Sequence, residues 1–209
     1  MGEVKYTYKD NNLYDSFGHA IMMEWESDWM EASADIVCKN NGDILNIGFG
    51  LGLVDSFIQK HNPKSHTIIE CHNDVLNHMK ENGWYNRANI IEDKWQNVIK
   101  KLPKFDGIYF DTWSDSKTDD FPFGMLKYLN NILKVGGVFS FWNNTNTETD
   151  VKKYLPKNFK IEHKQFKVNV PKKQHLNINK NYISPELKYV QLPIITKKYE
   201  GEIIEETMI

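Results

Sequence analysis

Three glycines at alternate positions lie where an apolar strand is expected to turn into a helix. Gly48, Gly50 and Gly52 directly follow the apolar run at 44–47. Glycines at such a place let the backbone turn tightly and approach a ligand closely. The dinucleotide fingerprint G-x-G-x-x-G would need a glycine at position 53, where Leu53 stands. The shorter spacing favours S-adenosylmethionine (SAM), a nucleoside cofactor that has no pyrophosphate.

A carboxylate stands where such a nucleoside cofactor needs one. Glu70 ends the next expected strand, about 20 residues after the first glycine. Its two oxygens can accept hydrogen bonds from both ribose hydroxyls. Trp95 follows the third strand and is a candidate to stack on the adenine. The alternative interpretation is a glycine-rich turn with an unrelated surface glutamate.

Two further carboxylates are candidates for the rest of a reaction site. Asp111 ends the apolar run at 107–110, and open α/β sheets bind ligands at the carboxyl ends of their strands. Glu26 is expected on a helix with Met22 and Met30 at i−4 and i+4, so that the three share one face. Methionine packs adaptably against adenine and a sulfonium. The alternative is that both methionines belong to the core and Glu26 is solvated.

Short apolar strands alternating with helices are expected to position these residues. The last of the helices is expected to stop at the glycine pair 136–137. Such an alternation predicts a parallel sheet with helices on both faces. The spacing predicts helices at 22–37, 53–60, 74–82, 96–101 and 121–133, and strands at 44–47, 67–70, 90–91, 105–111 and 138–142.

The pattern changes after Pro156. Residues 159–170 and 188–195 alternate with period two, which predicts antiparallel strands added at one edge of the sheet. The expected fold is therefore α/β and Rossmann-like, with a mostly parallel seven-stranded sheet and an antiparallel edge. A chain of 209 residues is expected to form a single domain. Within 1–209 we expect an N-terminal lid segment at 1–21, a cofactor-binding core at 22–144, and C-terminal strands and a tail at 145–209.

Composition argues against several classes of function. The formal net charge of −2 offers no electrostatic reason to bind nucleic acid. No apolar run reaches the length of about 18 residues that a membrane span needs. The N-terminus lacks the apolar region of a secretory signal, so a cytoplasmic location is expected. The two cysteines, Cys38 and Cys71, form no C-x-x-C pair, so neither a metal site nor a disulfide framework is expected.

Several runs of residues together resemble a known family. The runs are Met22-Met23-Glu24-Trp25-Glu26, Leu45-Asn46-Ile47-Gly48-Phe49-Gly50, Ile68-Ile69-Glu70 and Phe105-Asp106-Gly107-Ile108-Tyr109-Phe110-Asp111-Thr112. They are similar to the guanidinoacetate methyltransferase family, and closer still to the fungal and plant arginine δ-N-methyltransferases. The latter also share 63–66 (Pro-Lys-Ser-His) and 80–85 (Lys-Glu-Asn-Gly-Trp-Tyr). The resemblance extends from about Tyr6 to Asn144 and resumes at 189–193.

The resemblance implies a SAM-dependent methyltransferase fold and a set of contacts. Glu26 and Asp111 would grip a guanidino group. Thr145 and Asn146 would hold the carboxylate end of the acceptor, although the family has Thr and Ser there, so Asn146 departs from the pattern. The residues that would line the SAM site are Met22, Met30, Gly48, Phe49, Gly50, Leu51, Gly52, Leu53, Val54, Glu70, Cys71, His72, Trp95 and Gln96.

The chemistry that the resemblance implies suits two carboxylates. A guanidinium has a pKa above about 12 and no free lone pair for attack. Two carboxylates can bind the planar fork, orient one nitrogen and take its proton during methyl transfer. We expect Asp111 to orient the nitrogen and act as the base, and Glu26 to be the second clamp. The product of SAM would be S-adenosylhomocysteine.

The acceptor is left open between arginine, free or in a protein, and a small guanidino compound such as guanidinoacetate. The arginine enzymes have a long N-terminal extension and the guanidinoacetate enzyme has a larger lid, and the sequence matches neither feature. The acceptor of this chain therefore cannot be inferred from either enzyme. A catalytically silent SAM-binding scaffold is one alternative. A nucleic-acid base methyltransferase is another, but Asp111-Thr112-Trp113-Ser114 does not match its Asp/Asn-Pro-Pro-aromatic motif. A homodimer is a further expectation, since dimerisation would cover a small active site.

Overall fold

The computed structural model describes residues 4–112, 123–142, 151–152, 154–169 and 188–202 of the chain. Within these ranges it contains a large mixed sheet, helices on both of its faces, and a small N-terminal sheet. None of the helices in these ranges is long and apolar enough to cross a membrane.

The N-terminal sheet occupies the region that the sequence indicated only as a lid segment. Its antiparallel strands are β1 (Tyr6–Lys9), β2 (Asn12–Asp15) and β3 (Ala20–Met22). The turn between β1 and β2 consists of Asp10 and Asn11, which have φ values of 50° and 58°. Positive φ at both central residues is the geometry that matches the twist of a two-residue hairpin.

Seven strands of the described chain form the large sheet, in the order β6-β5-β4-β7-β8-β10-β9. The first five strands in this order are parallel, whereas β10 is antiparallel to both of its neighbours. The α/β fold with an antiparallel edge is therefore confirmed. The strands are β4 (Asp43–Ile47), β5 (Ser65–Glu70), β6 (Asn89–Glu92), β7 (Phe105–Phe110), β8 (Leu133–Phe141), β9 (Phe159–Lys167) and β10 (Tyr189–Lys197).

Alternate side chains of β4 divide the core into two parts. Ile44 belongs to the cluster that includes the buried residues of α1, α2 and α3, and Leu45 and Ile47 belong to the cluster that includes those of α5 and α6. Successive side chains of a strand point to opposite faces, so helices cover both faces of the sheet. The helices are α1 (Ser27–Val37), α2 (Leu53–Lys60), α3 (Asn73–Glu81), α4 (Trp95–Val98), α5 (Phe123–Leu126) and α6 (Leu129–Ile132).

The expected helix at 22–37 is wrong at its start. Met22 lies at the end of β3, where it pairs with Leu13, and residues 24–26 form a single 3₁₀ turn before α1. Met23 is extended, with φ −125° and ψ 140°, and this conformation separates strand from turn. Strand pairing thus overrides a helical spacing that continues through 22–26. Met22, Glu26 and Met30 therefore do not share one helix face.

The expected helix at 121–133 is divided in two, and its expected stop at the glycine pair is wrong. The structure has the two short helices α5 and α6 within the described part of this stretch, and Leu133 already pairs with Phe105 in the sheet. Gly136 and Gly137 lie inside β8 and do not terminate a helix. Gly136 has φ +79°, and the register of β8 against β7 is irregular in this part of the pair. The glycine pair accommodates this irregularity, as glycines in strands often do.

Candidate active site

The glycine loop connects β4 to α2 at the carboxyl end of the sheet, as the sequence predicted. The Gly48 N–H donates to the carbonyl of Ile69 at the end of β5, over 2.9 Å. Gly48 has φ +89°, and a Cβ atom there would lie 2.0 Å from the carbonyl oxygen of Asp111. The loop therefore packs directly against the residue that follows β7. Glycine is required at position 48 both by its conformation and by this contact.

Met22 and Tyr8 hold the middle of the glycine loop from the N-terminal sheet. The Met22 Sδ lies 3.2 Å from the Leu51 amide nitrogen, and a Cβ on Gly50 would lie 2.6 Å from this sulfur. The Tyr8 hydroxyl donates to the Gly50 carbonyl over 2.9 Å. Met22 thus reaches the loop from a strand, and Tyr8 is a contact that the sequence analysis missed.

Glu70 lies at the end of β5, beside the glycine loop. Its carboxylate accepts three backbone hydrogen bonds, from Phe49 at 3.0 Å, Cys71 at 2.7 Å and His72 at 2.8 Å. Only 9% of the residue is exposed. The two oxygens of a carboxylate offer about four lone-pair sites, so capacity remains for a ligand hydroxyl. Glu70 therefore binds the glycine loop to the end of β5.

The N-terminal sheet also packs on the segment that follows β5. The rings of Tyr6 and His72 stack at 3.7 Å with an interplanar angle of 2°, and those of Tyr8 and His78 stack at 3.7 Å. The Tyr6 N–H donates to the Asp74 carboxylate over 2.8 Å. This sheet forms one wall beside the cofactor loop. His72 was predicted from the sequence as a site residue, whereas Tyr6 and Tyr8 were not.

Asp111 lies immediately after β7, with its backbone N–H donating to the Ile47 carbonyl over 2.9 Å. The residue is partly buried. Burial raises the pKa of Asp111 to about 7, and the charge of the buried Asp55 contributes to the rise. A carboxyl with a pKa near neutrality can exchange a proton under physiological conditions, which is the property of a general base.

Glu26 is buried and is not solvated, with 1% of the residue exposed. Its Oε1 accepts the Met23 N–H over 2.7 Å, while the Glu26 N–H donates back to the Met23 carbonyl over 3.0 Å. Burial raises the pKa of the Tyr109 hydroxyl well above its usual value, and the charges of Asp111 and Glu26 raise it further. The charges of both carboxylates therefore act on the Tyr109 hydroxyl.

The remaining candidates occupy several environments. Met30 has no exposed surface, and its sulfur accepts the Tyr109 hydroxyl at 3.6 Å. Val54 is buried as well, with 1% exposed. Trp95 is partly buried at the start of α4, edge-on to Phe110 at 5.5 Å between ring centres. Cys71 and Gln96 are exposed, and Leu53 is partly exposed. Thr145 and Asn146 lie outside the described residues.

The structure thus brings the ends of β4, β5 and β7 together at one edge of the sheet. No group of three or more His, Cys, Asp or Glu side chains in the described ranges is arranged to hold a metal ion. The site consists of backbone amides, aromatic rings and three carboxylates, Glu70, Glu26 and Asp111.

Comparison with known families agrees with this arrangement. The family model of guanidinoacetate N-methyltransferase matches residues 2–208. The chain therefore belongs to the guanidinoacetate N-methyltransferase family, and the class of protein predicted from the sequence is confirmed.

Relatives and solved structures extend this finding. Protein arginine N-methyltransferase 2 of Candida glabrata is 40% identical over 152 residues, which cover 68% of this chain and 36% of that protein. The chain spans about a third of the length of the first curated relatives it matches.

Two solved structures are similar in fold. Precorrin-6y C5,15-methyltransferase of Geobacter metallireducens has a TM-score of 0.61 at 15% identity, covering 82% of this chain and 87% of that one. The O-methyltransferase TomG of Streptomyces achromogenes, solved in complex with SAM, has a TM-score of 0.56 at 12% identity, covering 82% and 80%. The chain has the fold of SAM-dependent methyltransferases.

Proposed function

We propose that this chain is a SAM-dependent N-methyltransferase that transfers a methyl group to a guanidino nitrogen. The acceptor is arginine, free or in a protein, or a small guanidino compound. The observation that carries the proposal is the packing of Asp111 against the glycine loop that Glu70 binds, with the buried Glu26 as a further carboxylate. In this proposal the glycine loop with Glu70 is the cofactor side and binds the nucleoside, and Asp111 with Glu26 is the acceptor side and binds the planar cation.

The cofactor side fits SAM. Gly48 packs directly against the backbone of Asp111, and the glycines let the backbone of the loop approach a ligand closely. Glu70 stands at the end of β5 with acceptor capacity for ribose hydroxyls. Bound SAM supplies an electrophilic methyl group on a positively charged sulfur. Negative charge near that sulfur favours the cofactor over its neutral product, S-adenosylhomocysteine.

The acceptor side suits a guanidinium. Its planar fork presents N–H donors that two carboxylates can bind in fixed directions. Glu26 is held rigidly by the Met23 backbone, so it can orient the group. Asp111 has a pKa of about 7, so a substantial fraction is ionised at neutral pH and can accept the N–H proton as the nitrogen attacks. Thr145 and Asn146 stay predicted contacts for the far end of the acceptor.

The family supports the guanidino acceptor, and the curated relatives carry the name protein arginine N-methyltransferase 2. A net charge of −2 favours a small or protein acceptor over nucleic acid. A cytoplasmic location, a single domain over 1–209 and a homodimer are part of the proposal as well.

A methyl-transfer screen tests the proposal. The purified chain is incubated with methyl-labelled SAM and, in separate reactions, free arginine, guanidinoacetate, other small guanidines and an arginine-rich protein extract. Mass spectrometry of the products should find the label on a guanidino nitrogen in at least one reaction. SAM binding by calorimetry without any transfer to a guanidine would instead support the silent scaffold. Absence of SAM binding would overturn the cofactor assignment.

A further inference from the structure

Behind the glycine loop lies a row of buried polar side chains that the proposed mechanism does not use. It consists of Asn46 on β4, Asp55 on α2, and His66 on β5, with Gln59 at its outer end. Asn46 and Asp55 have no exposed surface, and the His66 side chain is 1% exposed. Burying a carboxylate is unfavourable unless it is paired and hydrogen-bonded, so this arrangement calls for a physical reason.

Asn46 connects the buried carboxylate to the loop. Its Nδ2 donates to Asp55 Oδ1 over 3.0 Å and Oδ2 over 2.9 Å, and to the Gly48 carbonyl over 2.8 Å. Turning the amide over would place its oxygen against a carboxylate and a carbonyl, which are both acceptors. Asp55 therefore fixes the orientation of the Asn46 amide. The amide in turn fixes the Gly48 carbonyl.

Gln59 and His66, at the outer end of this row, hold Asp55 in place. The Gln59 Nε2 donates to the Arg87 carbonyl over 3.2 Å and lies 2.7 Å from His66 Nδ1. An amide N–H facing Nδ1 requires this ring nitrogen to be the acceptor, so the proton of a neutral His66 is on Nε2. Nε2 lies 3.0 Å from Asp55 Oδ1, an ion-pair distance without the N–H alignment of a good hydrogen bond.

We propose that Asp55 is a positioning residue of the methyl-transfer site, acting through Asn46 on the Gly48 carbonyl. The inference rests on the proposed function. Asp55 is fully buried and is therefore not a catalytic residue itself. Gly48 is the point where its effect reaches both sides of the proposed site, because Gly48 packs against the backbone of Asp111.

The charge of Asp55 also affects the pKa of Asp111, and the direction of this effect is known. Asp55 is the charged group that contributes to the raised pKa of Asp111, after burial itself. The charges of Glu26 and Asp111 both act on the neutral Tyr109 hydroxyl, and His66 and Asn46 face Asp55. An uncharged residue at position 55 removes one repulsive charge and moves the pKa of Asp111 downward.

The test compares Asp55→Asn with wild type and with Asp43→Asn. Asp43 is a matched control because it begins β4 and bonds Lys134 at the opposite end of the strand. We expect Asp55→Asn to bind SAM about tenfold more weakly. The rise of kcat/KM with pH should shift to lower pH. The increase of Tm that SAM causes should shrink, whereas a purely structural role would lower Tm equally with and without SAM. Asp43→Asn should leave all three ligand readouts unchanged.

Asn46→Ala serves as a second variant if Asp55→Asn does not fold. It breaks the bridge between Asp55 and the Gly48 carbonyl, so SAM binding should weaken. Wild-type SAM affinity in both variants, or in Asn46→Ala alone if the other does not fold, would overturn the inference. Failure of the wild type itself to bind SAM would overturn the proposed function instead, so the two failures are distinguishable.

Discussion

The two sides of the proposed site differ in how their carboxylates are hydrogen-bonded. On the proposed cofactor side, residues 48–52 with Glu70, the carboxylate already accepts three backbone N–H groups. On the proposed acceptor side, Glu26 with Asp111, the Asp111 carboxylate accepts no hydrogen bond from any residue that the structure describes, and its pKa is raised to about 7. The first side is preorganised by backbone contacts, while on the second side Asp111 has hydrogen-bonding capacity that a cationic ligand would satisfy.

This difference shows how one site can treat two ligands differently. A site built from backbone contacts keeps its shape without its ligand, so it favours binding. An unsatisfied, partly desolvated carboxylate is destabilising until a cation or a proton arrives, so it favours chemistry. Substitutions on the two sides should therefore have separable effects.

Gly48→Ala should break both sides at once and have the largest effect. The new Cβ would lie 2.0 Å from the Asp111 carbonyl oxygen, and φ is +89°. We expect Tm to fall by about 10 °C or more, together with loss of SAM binding. Gly83→Ala is the control, because Gly83 has φ +73° but nothing within 4 Å of a Cβ. If the two variants melt alike, backbone strain alone explains the loss and the close contact does not matter.

Glu26→Gln should damage the acceptor side alone. The amide oxygen can still accept the Met23 N–H, so the turn before α1 is retained. Loss of the charge should lower kcat/KM for the guanidino acceptor by about 100-fold, with SAM affinity unchanged. Glu24→Gln, in the same turn but exposed, should behave as wild type. Equal losses in steady-state assays of the two variants would contradict the role of Glu26.

Glu70→Gln should damage the cofactor side alone. One oxygen of the carboxylate is replaced by an amide that cannot accept from both the loop and the segment after β5. Calorimetry should show SAM binding about tenfold weaker. Glu81→Gln, at the exposed end of α3, is the matched control. Unchanged SAM affinity in Glu70→Gln would mean that this carboxylate serves only the fold.

The smallest effect concerns stability and pH. The folded-state pKa of Asp111, about 7, lies above the ordinary value of 3.8. Between these values the folded chain holds a proton that the unfolded chain has released, so this group costs stability as pH rises towards 7 and nothing further above it. Asp111→Asn should therefore melt about 5 °C above wild type at pH 8 and show a smaller difference at pH 5. Thermal scans with the same difference at both pH values would contradict the raised pKa.

The placement of the glycine loop beside Glu70 could be predicted from the sequence because its signals are local. Gly48 to Gly52 lie between a strand and a helix, and Glu70 ends the next strand. The backbone register of β4, β5 and β7 then brings these positions together without further information. The parallel order of the strands follows from the same alternation.

The rest depends on long-range contacts that spacing does not reveal. Tyr8 reaches Gly50 only because the N-terminal hairpin packs on α3, and the turn at Asp10 and Asn11 is the signal that could have identified this hairpin. Glu26 was expected on a helix face, yet Met22 pairs with Leu13 in a strand and the helix begins only at Ser27. The geometry predicted for Glu26 was therefore wrong, and its role in the site stays a prediction.

The most direct test of the separation between the two sides is SAM binding and turnover measured on the same preparation of Asp111→Asn. For Asp111→Asn we expect SAM affinity within about twofold of wild type and turnover of a guanidino acceptor lowered by about 10³-fold or more. Asp106→Asn, at the opposite end of β7, should turn over normally per folded molecule. Near-normal turnover by Asp111→Asn, or loss of its SAM binding, would contradict the account.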